Sequence, residues 1–325
     1  MDQSEEQINL PELLVINPPP VFIVHQHQFS TKFKLLKAYE SPLSTDLFLQ
    51  THAQSTKAII CYGKSPITSN ILHLLPSLRL VVTASAGFNH IDLLECKQRG
   101  IAVVNTGDVL SEDTADTAVG LLIDVLRKIS AGDRFVRSGN WVNKVQYPLG
   151  SRLGGRHVGI VGLGNIGLKV ATRLEAFGCK ISYNSRQKKT VPYNFYQNVC
   201  ELALDCNILV ICCTLTVQTH HVIDKDVLKA LGKDGILINI ARGPIVDEKE
   251  LVKFLVEGEI AGAGLDVFEN EPKVPQELIS LDNVVLTPHK AAFTEEAFSD
   301  ASQIVLANLE AFFSNKPLIS PVIDV

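Results

Sequence analysis

Short apolar runs alternate with longer amphipathic stretches along the whole chain. In its first third the runs are ELLVIN (12–17), KAIICY (57–62), RLVVTA (79–84) and IAVVN (101–105). They are nearly continuous in Val, Ile and Leu rather than strictly alternating, the pattern of strands buried on both faces. With helix-like segments between them, they predict a first parallel α/β domain. A long helix follows. Ser111 is placed to cap it, Glu112 and Asp113 suit its first turn, and Ala115, Ala118, Val119, Leu122, Val125 and Leu126 form one apolar face.

After LGGRH the alternation resumes with VGIVG (158–162), KISY (180–183), ILVIC (208–212), GILINI (235–240), GAGLDV (262–267) and NVVLTP (283–288). Six strands joined by crossovers of this length describe a doubly wound parallel sheet. The stretch 294–313 reads as one more amphipathic helix, with Ala297, Ala301, Ile304, Val305 and Leu309 on one side. We expect it to return to the first domain and close an interdomain hinge. The fold class is therefore α/β with two domains, one of residues 1–105 and 294–325 and one of residues 106–293.

Composition narrows the options. At 325 residues with 46% hydrophobic content the chain is long enough for two cores. A net charge of −5 gives no footprint for nucleic acid. No apolar run reaches the ~18 residues that span a membrane. The start, MDQSEEQINL, fits neither a secretory signal nor a transit peptide, and the end, PVIDV, lacks a peroxisomal address. A cytoplasmic protein acting on small polar molecules is expected. The seven cysteines form no C-x-x-C pair, so they are read as buried thiols in a reducing compartment, with no metal site.

The chemistry begins at GLGNIG (162–167), a G-x-G-x-x-G directly after a strand and before a helix. Gly162 allows the tight turn, Gly164 lets backbone N–H groups approach a pyrophosphate, and Gly167 lets the helix lie close to the sheet. Leu163, Asn165 and Ile166 complete the loop. At the end of the next strand, where an acidic side chain would accept bonds from a ribose 2′-OH, the chain reads Asn184, Ser185, Arg186, followed by Lys188 and Lys189. A hydroxyl and a guanidinium suit a 2′-phosphate, so the expected cofactor is NADP(H) rather than NAD(H).

Three motifs stand just past later strands: NIARGPIVDEKEL (239–251), GLDVFENEP (264–272) and LTPHKAAFTEEA (286–297). In an open parallel sheet the strand C-termini share one crevice, so Arg242, Glu271 and His289 can converge there. Arg offers a bidentate fork for a carboxylate, and a Glu beside His favours imidazolium, which fits proton delivery to a 2-oxo acid.

The series SAGFNHIDL, GLGNIG, NIARGPIVDEKEL, GLDVFENEP, TPH resembles the D-2-hydroxyacid dehydrogenase family, from about Lys57 onward. The NSR turn and TPHKAAFTEEA look like its plant glyoxylate, hydroxypyruvate and hydroxyphenylpyruvate reductase branch. The resemblance implies a Rossmann-type cofactor domain and a flavodoxin-like substrate domain, the latter made of 1–105 and 294–325. It implies that Arg242 binds the substrate carboxylate, His289 is the acid/base and Glu271 its partner. It also implies that Ser85, Ala86 and Gly87 offer N–H groups to the substrate and that Asp266 lies near the nicotinamide carboxamide. Cys213, Thr219 and Ile240 are carried over as cofactor contacts.

A homodimer is expected from the same resemblance. Trp141, the only tryptophan, is read as packing, in a region that in related reductases can approach the partner's site. Lys290 departs from the apolar residue usual after the His. The implied activity is NADPH-dependent reduction of glyoxylate, hydroxypyruvate or 4-hydroxyphenylpyruvate. Another dehydrogenation in the same family, or a nucleotide-sensing corepressor of the same fold, is the alternative.

Overall fold

The computed structural model describes residues 10–143 and 146–323. The acidic N-terminal stretch 1–9, on which the reading of targeting signals rests, lies outside the described residues, as do the last two residues of PVIDV. The chain divides into two units, one of residues up to Leu110 together with those from Thr294, the other Ser111–Phe293. The break thus falls at 110/111, where the sequence pointed to 105/106.

In the first unit the elements are β1 (Glu12–Val15), α1 (Pro20–Ser30), β2 (Lys34–Lys37), α2 (Thr45–His52), β3 (Ala58–Cys61), α3 (Ser69–His73), β4 (Leu80–Thr83), α4 (Leu93–Gln98) and β5 (Ala102–Val104). The second unit runs α5 (Ser111–Arg127), α6 (Ile129–Arg137), β6 (His157–Val161), α7 (Asn165–Ala176), β7 (Lys180–Asn184), β8 (Asn194–Tyr196), α8 (Val199–Asp205) and β9 (Ile208–Ile211). It continues through α9 (Lys225–Leu231), β10 (Ile236–Asn239), α10 (Glu248–Val256), β11 (Gly262–Leu265), α11 (Gln276–Ser280) and β12 (Val284–Leu286). The chain then returns to the first unit with α12 (Glu295–Phe313) and β13 (Pro321–Ile323).

The first sheet has the order β13-β5-β4-β3-β1-β2, a flavodoxin-like winding with β13 added antiparallel on β5. Successive side chains of a strand point to opposite faces, and the core shows it. Ile59 and Val81 pack on one side with Phe48, Leu49 and Leu72, while Ile60 and Val82 pack on the other with Phe22 of α1 and Val305 and Leu309 of α12. Each such fully buried aliphatic side chain stabilises the fold by about 1.5–3 kcal/mol over leaving it in water. The tail helix returns to the first domain as expected, capped by Thr294, whose hydroxyl accepts from the Ala297 N–H.

The second sheet has the order β12-β11-β10-β9-β6-β7-β8, the doubly wound arrangement of a dinucleotide-binding domain. Ile208 and Val210 face α5 and α7, whereas Leu209 and Ile211 face α8, α9 and α10. The strands β2, β8 and β13 were not expected from sequence. Ser111 is the first residue of α5 and is buried, rather than standing outside as its cap. Trp141 does not pack: it is 69% exposed, in the turns after α6.

Candidate active site

All neighbouring strands of the second sheet are parallel, so the loops after β6, β7, β9, β10, β11 and β12 leave along one edge. Strand order reverses between β6 and β9, which is where such sheets open a crevice. Gly162 lies there with φ 98°, and a Cβ on it would stand 2.5 Å from the Cys213 backbone. No side chain fits. A Cβ on Gly167 would meet the Gly162 carbonyl at 2.3 Å, so the first turn of α7 sits directly on the loop.

Gly164 is the N-cap of α7, and no side chain caps that helix. Among the described residues, nothing apart from its own chain neighbours and helix backbone lies within 4 Å of where a Cβ on Gly164 would be. The uncapped N–H groups and the positive end of the helix dipole therefore border free space, an arrangement that fits the pyrophosphate of a dinucleotide. Asn165 is exposed and Ile166 partly buried. Leu163 and Ile240, predicted as cofactor contacts, turn their side chains into the core and have only main chain to offer. Thr219 holds its own turn: its hydroxyl donates to the Thr214 carbonyl at 2.7 Å and accepts from the Thr216 N–H at 2.7 Å.

At the end of β7 the Asn184 amide donates to the carbonyls of Tyr196 and Gln197, both at 3.0 Å, and so ties β7 to β8. The turn beyond it is closed by the Tyr183 hydroxyl, which accepts from the Lys189 N–H at 2.7 Å. Ser185 bonds to the Gln187 carbonyl within this turn, and Arg186, Lys188 and Lys189 are exposed on it. The result is a braced turn with three cations at its surface.

Beyond β10, the buried Asn239 side chain shapes the segment of Arg242, donating to the Arg242 carbonyl at 3.0 Å and accepting from the Ala241 N–H at 3.1 Å. Burial pulls the Arg242 pKa down, opposed by the charges of Glu271 and Asp266. A guanidinium still keeps its proton under these conditions. The next residue, Gly243, lies so close to the loop after β11 that a Cβ would stand 1.9 Å from the Phe268 carbonyl carbon.

That loop carries Glu271, and the loop after β12 carries His289. Their side chains meet, with His289 Nδ1 and Glu271 Oε2 2.7 Å apart. The other Glu271 oxygen accepts from the Phe268 N–H at 3.1 Å. Burial alone would raise the Glu271 pKa, but the His289 hydrogen bond and charge, the Phe268 N–H and Arg242 outweigh it and hold the carboxyl below its ordinary value. The carboxylate is ionised at neutral pH. With Nδ1 engaged, Nε2 is the ring atom left for chemistry.

Asp266, expected near the nicotinamide carboxamide, supports the loop that carries His289. It is buried, and its carboxylate accepts from the Thr287 hydroxyl at 2.7 Å and from the N–H groups of Lys290 and Ala291 at 2.9 and 3.0 Å. Three donors from the His289 loop already occupy it. Lys290 sends its ammonium over the Phe293 ring, 5.6 Å from the centroid.

In the first unit, Ser85, Ala86 and Gly87 follow β4. The carbonyls of Ser85 and Ala86 accept from the Thr106 N–H and the Asn105 amide at 3.3 and 2.8 Å. Among the described residues no acceptor takes the N–H groups of Ser85, Ala86 or Gly87, so this turn presents free donors of the kind that hold anions. The segment that sequence reasoning missed is around His221 and Glu269, 3.0 Å apart. A pair separated by so much chain leaves no local spacing to read.

Comparison with known proteins agrees with this architecture. Residues 119–291 match the NAD binding domain of the D-isomer specific 2-hydroxyacid dehydrogenases. The chain is 52% identical to the glyoxylate/hydroxypyruvate reductase HPR3 of Arabidopsis thaliana, over 96% of this chain and 97% of that one. It is 45% identical to the hydroxyphenylpyruvate reductase of Plectranthus scutellarioides, over 94% and 97% of the two chains. The crystal structure of an NADPH-dependent glyoxylate/hydroxypyruvate reductase from Sinorhizobium meliloti, in complex with NADP and malonate, superposes with a TM-score of 0.89 at 37% identity and covers 96% of both chains. On these matches and this fold, the chain belongs to the D-isomer specific 2-hydroxyacid dehydrogenase family.

Proposed function

We propose that the protein reduces small 2-oxo acids to D-2-hydroxy acids with NADPH, with glyoxylate, hydroxypyruvate and 4-hydroxyphenylpyruvate as candidate substrates. The observation that carries this reading is the 2.7 Å contact of His289 with Glu271, on an edge shared with Arg242. NADPH, when bound, supplies the hydride that adds to the carbonyl carbon. His289 Nε2 gives a proton to the carbonyl oxygen, and the ionised Glu271 stabilises the imidazolium that holds that proton beforehand. Arg242 takes the carboxylate through its planar fork. In the first unit, the N–H groups of Ser85, Ala86 and Gly87 are of a kind that suits an anion.

The N-terminus of α7 would hold the pyrophosphate, and Ser185 and Arg186 a 2′-phosphate. Turnover measured with a panel of 2-oxo acids, each with NADPH and with NADH, tests the assignment. NADPH oxidation that depends on one of the three acids is expected; none with any 2-oxo acid would end the reading.

The protein is also proposed to work as a homodimer in the cytosol. Ile129 and Val136 share one face of α6 and are more than half exposed, as are Trp141, Val142 and Leu149 further along the chain. Exposed apolar side chains in this number invite a cover, and a second copy is the simplest one. Light scattering after gel filtration reads the mass directly. Seven free cysteines fit a reducing compartment, and no helix among the described residues is long and apolar enough to cross a membrane.

A further inference from the structure

Apart from His289, two more histidines stand in the second unit in an unusual setting. His220 and His221 are consecutive, yet their rings stack at 4.0 Å between centroids with 29° between planes. Neighbouring side chains in an extended segment point apart. They come together here because His221 adopts a left-handed backbone, φ 51°, a conformation that a non-glycine residue takes only against a steric cost. The conformation is pinned: the His221 N–H donates to the Pro244 carbonyl at 2.9 Å, and its Nε2 lies 3.0 Å from Glu269 Oε1. The Glu269 N–H in turn donates to the Glu248 carboxylate at 3.0 Å.

One ligand atom from each of His220, His221 and Glu269 lies within 4.8 Å of the others. Two imidazoles and a carboxylate are a donor set for a borderline transition-metal ion, and three protein ligands leave a fourth position for water. The geometry asks for little movement. In a tetrahedral site with bonds near 2.0–2.1 Å, two ligand atoms stand about 3.3 Å apart, close to the 3.0 Å that now separates His221 Nε2 from Glu269 Oε1. His220 is exposed, so its ring can turn to complete the set without disturbing the core.

We propose that His220, His221 and Glu269 form a binding site for a divalent transition-metal ion of the Zn²⁺ class. The ion joins the loop after β9 to the loop after β11, and it replaces the hydrogen bond between His221 and Glu269 with two metal bonds. The site is independent of the reductase reading, because none of its ligands is used in that chemistry.

Calorimetric titration of the full-length protein, stripped with a chelator and dialysed, with ZnCl₂ tests it. One Zn²⁺ per chain with a micromolar dissociation constant is expected, along with a higher melting temperature in excess Zn²⁺. His220→Ala, at an exposed position, and Glu269→Gln, which keeps the side-chain shape, should each weaken binding by about 10-fold or more, since each removes one of three ligands. His73→Ala serves as control. It disrupts a His73–Glu95 pair at 3.6 Å, in which the histidine is exposed and to which no third ligand is added among the described residues, and should bind Zn²⁺ as the unmodified protein does. Absence of saturable binding, or equal binding in the His220 and Glu269 variants, overturns the proposal. Melting curves of each variant without metal confirm that it is folded.

Discussion

Asp266 grips His289 from both sides. Its carbonyl accepts the His289 N–H at 2.7 Å, and its carboxylate accepts the N–H groups of the two residues that follow, Lys290 and Ala291. His289 itself sits at φ 55°, a left-handed conformation that needs such support.

Replacing Asp266 with Ala leaves three donors of the loop without their acceptor. A hydrogen bond to a charged group contributes about 1.5–3 kcal/mol, so the variant should lose at least about 3 kcal/mol in urea unfolding. It should also lose kcat well beyond any change in NADPH binding. Normal kcat in a destabilised protein would show that the histidine does not depend on this anchor.

His289→Asn isolates the proton transfer. Asparagine tolerates the left-handed backbone better than most residues, so the loop should keep its course while the acid is lost. General acid help is worth about 10²–10⁴-fold. We expect kcat to fall by at least about 10²-fold with NADPH affinity near that of the unmodified protein, by single-turnover kinetics and fluorescence titration.

For Glu271→Gln the readout is the pH profile. The carboxyl of Glu271 is held below its ordinary value, chiefly by His289 acting against burial, so above that range it carries a charge that favours imidazolium. A neutral amide does not. Reduction needs the protonated ring, and the pH above which reduction fails should therefore move downward. An unmoved alkaline limb would mean that the pair is not coupled in the working enzyme.

Arg186→Ala tests the basic turn. The side chain is exposed, so the lower end of the about 1.5–3 kcal/mol range applies, about 10-fold. NADPH should bind about 10-fold more weakly and NADH unchanged, and added salt should weaken NADPH more than NADH in the unmodified protein. Equal kcat/KM for the two cofactors before any substitution would sink the assignment.

The central strands were legible because residues such as Ile59, Ile60, Leu209 and Val210 are buried on both faces and so appear as unbroken apolar runs. The edges were not. KLLK of β2, NFY of β8 and PVI of β13 are three or four residues long and held by one neighbour each, so pairing rather than composition makes them strands. At the site, Arg242, Glu271 and His289 showed themselves by type and by position after a strand. Asn239 and the grip of Asp266 did not, because their partners are backbone groups that any sequence carries. Asn184 was noticed for the acid it lacks, whereas its amide is spent on the carbonyls of Tyr196 and Gln197.

The first unit is interrupted: its chain leaves at Leu110 and comes back at Thr294. During synthesis the second unit, being one continuous stretch, is available to fold as soon as its last strand emerges. The first cannot be finished then. Val305, Leu306 and Leu309 of α12, which pack against its sheet, and β13, which closes the β5 edge, are made only after the second unit is complete. On the ribosome the second unit is free to mature first although its sequence comes later, and until α12 emerges the nascent first unit carries an apolar sheet face that α1 covers only in part.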